Sequence, residues 1–153
     1  MSIFSFFTKK QYFTKEQQQL IVEAIKKAET NTSGEVRVFV ESRCKYVNAV
    51  DRAKEIFVNL QMDKTKDRNA VLVYIAIKDR QIALFADEGI YQRLGADYWH
   101  NEVKKIIAEF KNEHHTQGIC NIVSNIGDAL KYEFPYEKGG DKNELPDEII
   151  FGR

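Results

Sequence analysis

Eight consecutive apolar residues, Ala70-Val71-Leu72-Val73-Tyr74-Ile75-Ala76-Ile77, limit what this chain can become. The run is far shorter than the ~18 residues a membrane helix needs, and it is rich in β-branched side chains. It shows no polar alternation, so it predicts a central strand covered on both faces rather than a half-exposed one. Arg68-Asn69 and Lys78-Asp79-Arg80 mark its ends. A strand of this kind requires helices above and below it.

The rest of the sequence supplies them. Thr14 and Gln17 form the frame of a capping box, and Leu20, Ile21, Ala24, Ile25 and Ala28 follow at helical spacing. Asn31-Thr32-Ser33-Gly34 ends that helix, with Gly34 suited to a sharp reversal. Alternating valines over 35–41 predict a strand, and 47–60 return to helical period with Asn48 as cap. Residues 81–86 predict a third strand, made antiparallel to the second by the tight connection through Asp79. Gly89 and Gly95 bracket an irregular stretch; helices are expected over 97–114 and from a Thr116 cap to Pro135.

The strand–helix–strand unit over 35–77 calls for parallel strands joined by a right-handed crossover. The fold class is therefore α/β: a three-layer α/β/α sandwich, Rossmann-like, with a small mixed sheet and helices on both faces. Residues 1–12 read as an extension, 13–134 as the domain, and 135–153 as a flexible or loosely docked tail whose removal costs the fold little, with Leu145-Pro146 and Ile149-Ile150-Phe151 as the alternative, a short apolar strap.

Charge narrows the function classes. Lys plus Arg equals Asp plus Glu at 23 each, so no basic excess exists to neutralise nucleic-acid phosphates. Cys44 and Cys120 have no metal-ligand spacing and read as free thiols. The apolar start, Ile3-Phe4-Ser5-Phe6-Phe7, precedes its lysines rather than following them, the wrong order for a secretory peptide. A cytoplasmic location without a membrane span is the expectation.

Several separated segments resemble the TPM domain family, named for a thylakoid lumen protein, a photosystem II repair protein and a worm receptor modulator. They are Thr32-Ser33-Gly34-Glu35-Val36-Arg37-Val38, Arg68-Asn69 with the apolar run, Asp79-Arg80, and Asp87-Glu88-Gly89-Ile90; the tail at Asn143-Glu144-Leu145-Pro146 is similar to short soluble bacterial members. The resemblance implies a Rossmann-like α/β/α sandwich, an acid phosphatase activity attributed to the family, and calcium binding by some members.

Topology brings acids together at one end of the expected sheet. Glu35 opens the first strand, Asp67 precedes the second, and the returning third strand delivers Asp87 and Glu88 to the same edge, with Asp63 in the adjoining loop. Hard oxygen donors on loops suit Ca2+ or Mg2+. The same acids also fit solvated strand ends, with Glu35 paired to Arg37 or Arg68. The opposite end carries Arg43, Lys45, Lys78 and Arg80, a basic rim that suits an anion or peptide. No Gly-x-Ser-x-Gly elbow occurs, and Ser33, Ser42 and Ser124 have no assignable base. The adjacent His114 and His115 point about 100° apart on a helix. The expected function is a divalent-cation-binding accessory or interaction module with an unidentified protein partner. The alternative is a metal-dependent acid phosphatase using the same acids.

Overall fold

The computed structural model describes residues 12–135 and 149–152; the expected extension at 1–12 therefore lies almost wholly outside the described residues, as does the tail segment 136–148. In chain order the elements are α1 (Lys15–Ala28), β1 (Glu35–Glu41), α2 (Ala49–Asn59), a 3-10 turn (Met62–Lys64), β2 (Ala70–Ala76), β3 (Gln81–Ala86), α3 (Glu88–Leu94), α4 (Ala96–Lys111), α5 (His115–Glu133) and β4 (Ile149–Phe151). The sheet order is β3-β2-β1-β4. β1 and β2 run parallel with Glu35 opposite Ala70, and β3 returns antiparallel with Ala86 opposite Val71.

Every residue of β2 is buried, because successive side chains enter two different cores. Val71, Val73 and Ile75 join Val36, Val38 and Val40 beneath α1, α3, α4 and α5. Leu72 and Tyr74 join Phe39 on the other face, where Ala53, Ile56 and Phe57 of α2 and Met62 cover them. The expected three layers are present, with a mixed sheet between helices. No helix among the described residues is long and apolar enough to cross a membrane.

Local caps set the helix boundaries. Thr14 and Gln17 complete the capping box of α1, and the Asn48 side chain accepts from the Val50 amide at the start of α2. Three boundaries differ from expectation. The stretch between Gly89 and Gly95 is helical, because Asp87 caps it through the Glu88 amide. α4 stops at Lys111 rather than near 114, and α5 starts at His115 without a side-chain cap. The left-handed residue after α1 is Asn31, at φ 64°, rather than Gly34. Gly34 serves close packing instead: a Cβ there would lie 2.5 Å from Leu130 Cδ2, so that buried side chain would have to shift.

Of the two readings of the tail, the described residues 149–152 follow the docked strap. Ile149, Ile150 and Phe151 pair in parallel with Val38, Phe39 and Val40, and the Gly152 amide donates to Val40 O at 2.7 Å. Ile149 is only 4% exposed and belongs to the larger core. Three apolar residues suffice here because the edge of β1 offers both backbone partners and a covered face. Deleting the chain from Ile149 onward should cost about 2 kcal/mol through lost apolar burial. The melting temperature should then fall by roughly 6 °C for a chain of this size. A thermal scan showing no change would return the whole tail to the dispensable category.

Candidate functional site

The amino-terminal end of β2 does collect most of the acids singled out from sequence. The loop before β2 is pinned where the Thr65 hydroxyl accepts from the Asn69 amide at 3.3 Å. Arg68 takes a left-handed conformation, φ 52°, immediately before the strand. Its side chain reaches the start of α3. Nε donates to Asp87 Oδ2 at 2.7 Å and Nη2 to Asp87 Oδ1 at 2.8 Å. Nη1 lies 2.9 Å from Glu88 Oε1. The Asp87 contact holds the guanidinium above its ordinary value, and an arginine is charged at any attainable pH.

Asp67 lies apart from that pair. It accepts from the Ser33 hydroxyl at 3.1 Å, and Ser33 in turn accepts from Asn69 Nδ2 at 3.0 Å. The Asn69 side-chain oxygen is buried and accepts no hydrogen bond from the described residues. Glu35 is buried at the start of β1, and Asp63 lies 3.9 Å from Lys64 Nζ. Asp87 and Glu88 therefore converge, Asp67 sits with Ser33, and Asp63 has its own lysine. Among the described residues no three acidic, His or Cys side chains form a group able to hold a metal ion. As placed, Arg68 is the cation between Asp87 and Glu88. Sequence spacing could align the strand ends, but it could not reveal that an arginine would reach over them.

The carboxyl end of β1 holds a network that the sequence reading passed over. Glu41 is 3% exposed. It receives Arg52 Nε and Nη2, both at 2.9 Å, and the Tyr74 hydroxyl. Arg52 also donates to Glu55, which accepts from the Tyr46 hydroxyl. The hydrogen bond to Glu41 raises the Arg52 guanidinium further above its ordinary value, while burial and then Glu41 push the Tyr74 phenol upward. Residue parity offered a signal: Glu41 shares the α2-facing side of β1 with Phe39. The nearby Arg43 is bound to Asp79.

Nucleophile chemistry finds little support in these contacts. Ser33 bonds to a carboxylate, His114 lies 3.5 Å from Glu109, and the His115 ring packs on Phe110. Burial raises the Cys120 thiol, which disfavours its thiolate.

A family model described as the TPM domain matches residues 7–129, which include both strand ends just described. The chain belongs to the TPM domain family. The solution structure of the BA42 protein from the psychrophilic bacterium Bizionia argentinensis is similar to this TPM domain at 38% identity and a TM-score of 0.85. The match covers 93% of this chain and 97% of that one. The N-terminal domain of the cg2496 protein from Corynebacterium glutamicum matches at 10% identity and a TM-score of 0.63, over 88% of this chain and 82% of that one. That likeness concerns the fold alone. Among curated proteins none matches this TPM domain.

Proposed function

We propose that this TPM domain is a non-catalytic accessory module that takes up a divalent cation at its acidic edge, in exchange for the Arg68 side chain. The observation that carries the reading is the double engagement of Arg68 with Asp87 and Glu88. Two converging carboxylates demand a positive partner, and Arg68 is a replaceable one because its side chain is 43% exposed. Asp67, Ser33 and the Asn69 oxygen, which accepts no hydrogen bond from the described residues, form a second set of hard donors at the same strand end, apart from the pair. Ca2+ is favoured over Mg2+, since it tolerates irregular geometry and ligands borne on separate loops.

Calcium and then magnesium titrations of the native protein and of Arg68→Gln, followed by amide resonances and by melting temperature, test the reading. Signals at Asp67, Arg68, Asp87 and Glu88 should move first with calcium. Arg68→Gln should melt lower without metal and recover more with it, because ion binding to the folded state adds about 2.7 kcal/mol at a hundredfold excess over the dissociation constant. No movement at these residues in either protein would remove the cation reading. The same preparations should not turn over a generic phosphomonoester with Mg2+, Ca2+ or Mn2+. Turnover abolished by Asp67→Asn would put a metal-dependent acid phosphatase in place of the accessory module.

A further inference from the structure

A cleft of about 600 Å3 opens at the end of the sheet opposite the acidic edge, between the β2–β3 turn and α4. Ile77 and Ile82 flank the turn side, and Ile107 and Phe110 face them from α4. Ile107 is 37% exposed, so part of this apolar lining is open to solvent. Lys78 and Arg80 stand at the turn, and Lys111 closes the last turn of α4. The carboxylate nearest them in sequence, Asp79, is already taken: it accepts from Arg43 Nη1 at 2.9 Å and from the Cys44 amide at 2.7 Å. Among the described residues neither Lys78, Arg80 nor Lys111 forms an ion pair. Glu113 is the acid on the lining, against these three cations.

Two features combine here that a solvated basic loop does not have. The hollow has the volume of a small-molecule site, and its walls are largely apolar while its cations lack counter-ions. It also lies beyond the carboxyl ends of parallel β1 and β2, where open α/β sheets bind their ligands. We propose that the cleft binds a small amphipathic oxyanion, with an apolar body against Ile82, Ile107 and Phe110 and its charged head among Lys78, Arg80 and Lys111. A compact ligand of this kind fits better than nucleic acid, because the chain as a whole carries no basic excess. The site is independent of the acidic edge, so its failure and that of the cation reading are separable.

Four probes test it by amide chemical shift: 4-phenylbutyrate, phenylphosphonate, the neutral 4-phenylbutanol and inorganic phosphate. Both amphipathic oxyanions should shift residues 77–82 and 107–111, with the tighter of the two identifying the head group as carboxylate or phosphate. The alcohol and inorganic phosphate should bind about tenfold more weakly, each lacking one half of the recognition. Lys78→Gln and Lys111→Gln should each weaken the oxyanions about tenfold, the loss expected for one charge-assisted contact. Ile107→Glu, at an exposed position, should abolish binding while leaving resonances in the rest of the domain unchanged. Equal binding of acid and alcohol, equal binding of phenylphosphonate and inorganic phosphate, or an absence of shifts in both segments at millimolar probe would overturn the proposal.

Discussion

Arg52→Met should lower the stability of the domain by about 3–5 kcal/mol, the range for breaking one side of a buried ion pair. The substitution keeps most of the side-chain volume but strands Glu41, whose side chain is 4% exposed, with only the Tyr74 hydroxyl as a donor from this network. A carboxylate in that position gives up water without regaining its hydrogen bonds, and this loss outweighs the pair's own net attraction. Arg52 also lies over the Phe39 ring, 5.9 Å from its centroid, so a smaller stacking contribution disappears with the charge. Chemical denaturation monitored by circular dichroism gives the value directly. The double variant Glu41→Leu with Arg52→Met should recover much of the loss, because no buried charge then remains. A single variant within about 0.5 kcal/mol of native, the range of an ordinary surface substitution, would show that Glu41 is effectively solvated.

Gly89→Ala should be costly for a different reason. A Cβ at Gly89 would stand 2.6 Å from Arg68 O and closer still to Asp67 O. Both obstacles are backbone carbonyls, which no rotamer change can move, so α3 must shift away from the loop before β2. That shift opposes the Ile90 amide bond to Arg68 O and the Asp87 amide bond to Ala70 O. The loss should be about 3 kcal/mol, the upper part of the usual range for overpacking. Because Asp87 travels with α3, its pairing with Arg68 should loosen as well, visible as a change at the Arg68 side-chain Nε resonance. An unchanged denaturation midpoint and Arg68 signal would mean that the loop yields freely and that the clasp is not held by this contact.

The two cores are legible in the sequence, because their signals are local. The uninterrupted run in β2 announces two covered faces, and the stripes at Ile21, Ile25 and Ala28 and at Ala53 and Phe57 supply helices to cover them, while the structure assigns each helix its face. The tight turn through Asp79 similarly fixes the antiparallel return of β3. α3 was missed because Gly89 reads as a breaker, whereas its absent side chain serves the close packing of that helix on the loop.

Residue type and period therefore determined the layers, the strand directions and the edge to which Asp67, Asp87 and Glu88 would be delivered. Only the tertiary structure decided their partners, since Arg68 reaches Asp87 across 19 positions and Ser33 reaches Asp67 across 34. It also decided the fate of Ile149, Ile150 and Phe151, which on their own cannot offset the entropy of ordering a strand. Beside β1 they gain a ready-made edge and a core to enter. Hydrophobic periodicity is written along the chain, whereas the pairing of charges and of a late strand depends on what folding brings alongside.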